Sequence, residues 1–274
     1  MLADLLARDA AAELGAYLLA NSGLPGPRGN LELAHALADL LSRDPPGPSV
    51  RASLEAWRGM TAAEAPTGDP LEYLTFCGTL AWSADWVRGR GGREKIARGL
   101  RQAAGDPRWR RREAVAMSLQ RLGEADPKAL LDLLASWLEA AAAPSLAATA
   151  PRSSRPRKGS FLELRAVAAA LAHPPLLGDP AFARQALALA DRIMERVAAA
   201  ARREEDFRVL RQGLGYALSV LAAAEPQNGF ALLERWAGSR DPDVAWVIRE
   251  NLKKKRLAVH AKRVACVSAA LGGP

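Results

Sequence analysis

Helical periodicity runs through almost the whole chain. Leu5, Leu6, Ala12, Leu14, Tyr17 and Leu18 roughly line one face and predict a first helix over 2–21. Gly23–Gly29 holds two prolines and three glycines and reads as a loop, after which Asn30 caps a helix through about Ser42. Asp44-Pro45-Pro46-Gly47-Pro48 breaks that helix, and a third runs from Ser49 to about Met60 with Leu54 and Trp57 inward. Asp69-Pro70-Leu71-Glu72 is a capping-box variant. The helix behind it carries Leu71, Leu74, Cys77 and Gly78, with Trp82, Asp85 and Trp86 at or near its end. A glycine-rich basic loop, Arg88 to Arg93, leads into a helix through Ala104.

Asp106-Pro107 opens the next helix, ending near Gly123, and Asp126-Pro127 opens its partner, through about Ala142. Residues 143–159 have no period and are rich in Pro, Ser and Arg. They read as a mobile loop carrying Arg152, Arg155, Arg157 and Lys158. Ser160-Phe161-Leu162-Glu163 is a full capping box, and His173-Pro174-Pro175 ends the helix that follows. Asp179-Pro180 opens a long helix to about Arg202. Asp206 opens another, in which Gly213, Gly215 and Ala217 permit close approach. A short helix over 226–237, a helix from Asp241 into Lys253-Lys254-Lys255-Arg256, and a last one from about Leu257 to Leu271 complete the chain.

Two of these helix starts repeat. Asp106-Pro107 and Asp241-Pro242 are each followed by a tryptophan, Trp109 and Trp246, then by an arginine one helical turn later, Arg112 and Arg249. Aligned on the inner arginine, Arg112, Arg165, Arg211 and Arg249 follow one another at intervals of 53, 46 and 38 residues. An aromatic precedes each: Trp109, Phe161, Phe207 and Trp246. The spacing scatters around the roughly 40–47 residues of a HEAT-type unit. The expectation is one all-α domain over 1–274, a curved α-solenoid (α/α superhelix) of irregular helix pairs.

Composition sharpens this. Aromatics are 5% of the 274 residues and alanine is abundant, so helices can approach closely over small faces. Lysine and arginine number 38 against 30 acids, a formal charge of +8, which favours an anionic partner as much as it fits a solvated basic surface. Asp4, Arg8, Asp9 and Glu13 interrupt the first apolar stretch, which argues against a signal peptide, and no segment has the roughly 20 apolar residues of a membrane span. A soluble, cytoplasmic protein is expected. Cys77 and Cys266 sit in apolar helical patterns and read as two buried thiols; His35, His173 and His260 are isolated and form no metal-ligand pair; no cofactor motif is present.

The Asp–Pro start, the arginine and the small-residue face resemble the second helix of HEAT and armadillo units. By that resemblance Asp106 with Arg112, and Asp241 with Arg249, would tie neighbouring repeats together. The same Trp-x-x-Arg helices, over Asp106–Gly123 and Asp241–Arg256 with weaker echoes at Arg165 and Arg211, resemble the DNA alkylation-repair glycosylases built from HEAT-like repeats. That resemblance implies a basic concave face for the DNA backbone, and aromatic side chains with one carboxylate around a damaged nucleotide. The nearest match to the latter is Asp85 between Trp82 and Trp86, although core tryptophans beside a capping acid at a helix end are the reading that the residues themselves favour.

The cationic candidates fall in three places. Arg88, Arg90 and Arg93 share the glycine loop. Arg108, Arg111 and Arg112, with Arg110, surround Trp109. Lys253, Arg256, His260 and Arg263 form one stripe if the helix there continues, with Lys254 beside them. Convergence of Arg90, Arg108, Arg111, Lys254 and Arg256 on one groove is the expectation, and DNA or another polyanion the partner. A purine glycosylase with Asp85 as catalytic group and Trp82, Trp86 and Trp246 as aromatic pocket is the second reading. A scaffold for a protein partner is the third.

Overall fold

A computed structural model of the chain describes residues 1–142, 161–201 and 203–271. The expected loop at 143–159, Ser160 of the capping box and the expected helix end at Arg202 lie outside the described residues. Among the described residues the regular elements are fourteen α-helices and two short 3-10 turns, with no strand. The chain divides into two compact units, Met1–Ala125 and Asp126–Pro274, within the stretch that reads as one domain.

The first unit holds α1 (Leu2–Ala7), α2 (Ala11–Ala20), α3 (Leu31–Arg43), α4 (Pro48–Gly59), α5 (Pro70–Val87), α6 (Arg93–Ala104) and α7 (Trp109–Ala125). Thirteen of the eighteen residues of α5 are buried, so this helix is enclosed rather than striped. α2, α3, α4, α6 and α7 all pack on it. At Gly78 the approach of α4 is limited by backbone: a Cβ there would stand 3.1 Å from Leu54 O and Arg58 N.

The first predicted helix is in fact two. Asp9 breaks it, in the left-handed region at φ 53°. Its carboxylate accepts from Ser49 N (2.9 Å) and Val50 N (2.8 Å), the open end of α4. Gly47 at the cap position of α4 has no side chain to do this, and a Cβ there would collide with Asp9. A residue 40 positions away thus supplies the missing N-cap.

The second unit holds α8 (Pro127–Ala142), α9 (Phe161–Leu171), a 3-10 turn (Leu176–Gly178), α10 (Pro180–Ala198), α11 (Glu205–Ala224), α12 (Pro226–Ala237), α13 (Pro242–Leu252), a 3-10 turn (Lys255–His260) and α14 (Ala261–Ala270). Here α11 is central, against α9, α10, α12 and α13. α12 crosses it closely: a Cβ on Gly229 would lie 2.4 Å from the Ala222 Cα. Asn251 of α13, fully buried, accepts from Ser219 N (2.7 Å) and donates to Leu214 O (2.8 Å), both on α11.

Local start signals act as expected. Asn30 accepts from Leu33 N (3.0 Å), Asp69 from Leu71 N (2.8 Å), Asp179 from Ala181 N (2.8 Å), and Asp241 from Asp243 N and Val244 N (2.9 and 3.1 Å). No helix among the described residues is long and apolar enough to cross a membrane.

Candidate functional site

Asp106 and Arg108, beside the start of α7, form an enclosed ionic cluster in the first unit. Arg108 is 1% exposed. Its guanidinium donates to both Asp106 carboxylate oxygens (2.8 and 2.9 Å) and to the carbonyls of Met60, Thr61 and Ala65 (2.9–3.1 Å). Arg111 donates to Asp106 (2.9 Å) and to Arg58 O at the end of α4 (2.6 Å). Arg112 donates to the carbonyls of Asp106 and Pro107 (2.7 and 2.8 Å). Arg110 pairs with the fully buried Glu72 (2.9 Å), reaches Gly26 O (2.7 Å) and lies 4.3 Å from the Trp109 ring centroid. Burial would raise the Asp106 carboxyl; the hydrogen bonds and charge of Arg108, with the charge of Arg111, outweigh it and hold that group below its ordinary range.

This arrangement corrects the expectation of a DNA-contacting patch here. Arg108 is sealed inside the fold, and Arg111 and Arg112 are directed at internal acceptors rather than outward. The Asp–Arg tie implied for Asp106 runs from its carboxylate to Arg108 and Arg111, while Arg112 meets its main-chain carbonyl. What holds the knot is largely backbone carbonyl, which leaves no mark in the sequence.

Asp85 faces the same kind of partner. Its Oδ2 accepts from Arg58 (2.8 Å), a side chain only 6% exposed, and Oδ1 lies 3.8 Å from Arg90. Arg58 also donates to Gly78 O (2.7 Å) and sits 5.3 Å from the Trp82 ring centroid. Trp82 covers Gly99 of α6 and Trp86 is buried, with Arg93 4.9 Å from its ring. Asp85, expected in an aromatic pocket, is thus ion-paired with Arg58 beside Trp82 and Trp86. Arg88 donates to the carbonyls of Ser42 and Arg43 and so closes the end of α3. The guanidinium nitrogens of Arg90 are buried without a hydrogen-bond partner, and that burial lowers its pKa.

In the second unit the corresponding acids tie helices together. Asp241 and Asp243 both receive Arg203, and Asp243 also receives Arg211. Arg249, the partner expected for Asp241, instead lines a cavity of about 440 Å³ with Leu252, Lys253, Val264, Ser268 and Leu271. Trp246 rests on Gly215, where a Cβ would come within 3.1 Å, and carries Arg211 4.3 Å from its ring centroid. Trp246 is thus a contact between α13 and α11.

The basic stripe of the chain end is broken. α13 stops at Leu252, Lys254 is extended, and a 3-10 turn follows because Leu257 is drawn fully into the core. His260 and Arg263 turn towards α12: His260 meets Phe230 edge-on at 5.4 Å, and Arg263 donates to Pro226 O (2.6 Å). Lys253, Lys254, Lys255 and Arg256 remain together. They line one open cavity of about 790 Å³, whose other lining residues are Pro174, Leu177, Gly178, Val220, Ala223 and Ala224. Lys253 pairs with Glu250, and Arg256 donates to the hydroxyl of Tyr216 (2.6 Å), a ring half exposed. Lys254 and Lys255 have no ion-pair partner among the described residues. Lys255, and the apolar lining from the 3-10 turn and α11, were not singled out by spacing, since the break at Lys254 is set by Leu257.

Among the described residues no group of three or more His, Cys, Asp or Glu side chains could hold a metal ion. Compared with protein-family models, curated proteins and solved structures, the chain shows no significant match.

Proposed function

We propose that the second unit binds the phosphate backbone of nucleic acid through Lys253, Lys254, Lys255 and Arg256. The observation that supports this is the gathering of four consecutive cations on one open cavity, where Lys254 and Lys255 form no salt bridge among the described residues. A phosphate chain passing such a segment releases counterions at each contact, which is a sequence-independent source of affinity. The stacking of HEAT-like helix pairs belongs to the same reading, supported by the repeated Asp–Pro starts at Asp106 and Asp241.

The test is fluorescence anisotropy with a 20-base-pair duplex at two salt concentrations. Four phosphate contacts predict a loss of about 100-fold in affinity between 50 and 200 mM salt. Lys254→Ala with Lys255→Ala removes two of the four contacts and makes the salt dependence roughly half as steep. Binding indifferent to salt and to these changes overturns the proposal, and binding of a peptide with no binding of the duplex favours the scaffold reading.

A further inference from the structure

The first unit contains a cavity of its own, of about 370 Å³, unrelated to the basic segment. Pro27, Arg28, Gly29 and Leu31 come from the loop before α3 and its first residue; Tyr73 and Phe76 come from α5; Trp109, Arg110, Glu113 and Met117 come from α7. Three features set it apart from an ordinary packing gap. Trp109 and Leu31 are 42% and 46% exposed, and both border it, so apolar surface is left uncovered in the same place. The Tyr73 and Phe76 rings, parallel within 3° and with centroids 6.2 Å apart, both line it. Its volume lies at the small end of the roughly 300–1,000 Å³ of ligand pockets, enough for one or two fused rings.

The charges around it leave a remainder. Arg110 is neutralised by Glu72. Glu113 is already partnered within the fold. Arg28, exposed in the loop, has no hydrogen-bond or ion-pair partner among the described residues. The apolar walls therefore carry one uncompensated guanidinium, a group suited to a carboxylate.

We propose that this cavity binds a planar aromatic carboxylate, its ring against Tyr73, Phe76 and Trp109 and its carboxylate on Arg28. The Tyr73 hydroxyl donates to Asn30 O (2.6 Å), so its hydrogen bond is already made within the fold. This site stands apart from the nucleic-acid reading, which concerns the other unit.

Calorimetric titration with 2-naphthoate, 2-naphthylmethanol and 2-naphthylmethylammonium tests it. The carboxylate is expected to bind tightest. Arg28→Gln should weaken the carboxylate about tenfold, the loss of one charge-assisted contact, and leave the alcohol unchanged. Trp109→Ala, at an exposed position, should weaken carboxylate and alcohol alike. Preference for the ammonium, equal loss of acid and alcohol in Arg28→Gln, or no binding of any probe at millimolar concentration each overturns the proposal.

Discussion

Both units are helical, but the first carries 16 Lys and Arg against 15 acids and the second 22 against 15, and their most prominent cationic groups are used differently. In the first, Arg58, Arg108, Arg110 and Arg111 turn inward, onto Asp85, Asp106, Glu72 and the carbonyl ends of neighbouring segments. In the second, Lys253 to Arg256 stand on the wall of an open cavity. Arginine suits the first task because its planar fork satisfies several acceptors at fixed angles and remains charged when enclosed. Lysine suits the second because it keeps its charge in water on a flexible stem. Net charge therefore says little about binding until each cation's partners are known.

Removing an acid is the harshest way to break this contrast. Asp106→Ala leaves Arg108 enclosed with no counter-charge, which is expected to cost about 3–5 kcal/mol of stability. Lys254→Ala with Lys255→Ala should move stability by no more than about 0.5 kcal/mol per site. Urea denaturation of the variants reads both. Comparable losses would mean that the two cationic groups do the same work.

Gly229→Ala comes next. Its added methyl has no room against the backbone of Ala222, so the cost expected is about 1–3 kcal/mol. Gly68→Ala, with open space around it but φ +89°, tests strain alone and serves as its control by the same measurement.

Acid should reach both units through their depressed carboxyls. Asp106 and Asp241 titrate below the ordinary carboxylate range because arginine and backbone hydrogen bonds outweigh the burial that opposes them. A lowered folded-state pKa gives stability that is present above the unfolded value of about 3.9 and is lost as pH falls through the folded value. The denaturation midpoint should fall in that window, and Asp106→Asn should flatten the profile. A variant with an unchanged acid limb would remove Asp106 from this role.

The smallest effect concerns the thiols. Cys77 is enclosed in α5, as its apolar pattern suggests, and burial pushes its pKa up to about 12, whereas Cys266, read from its pattern as buried too, is exposed on α14. A thiol reagent at neutral pH should therefore label Cys266 and spare Cys77 in the folded protein. Mass spectrometry of the labelled peptides decides it.

The helices themselves were legible because their signals are local. Asn30, Asp69, Asp179 and Asp241 cap helices with acceptors two or three residues from their donors, a pattern a sequence displays. Asp9 caps α4 from 40 residues away, so its break in the first helix carried no readable sign. The cluster around Trp109 misled for a related reason. Asp-Pro-Arg-Trp-Arg-Arg-Arg reads as a basic surface, but its acceptors are the carbonyls of Met60, Thr61, Ala65 and Arg58, which every residue type possesses. Glu72 was the available hint: a carboxylate amid the apolar residues of α5 calls for a buried cation. At the chain end, the run Lys253–Arg256 was visible, but its separation from His260 and Arg263 depended on Leu257 entering the core.

Amide hydrogen exchange with and without the 20-base-pair duplex tests the central contrast most directly. The account predicts new protection around residues 253–256 and their cavity partners 174–178 and 220–224, with residues 106–112 unchanged. Protection centred on 106–112, with the 253–256 segment unaffected, would contradict it.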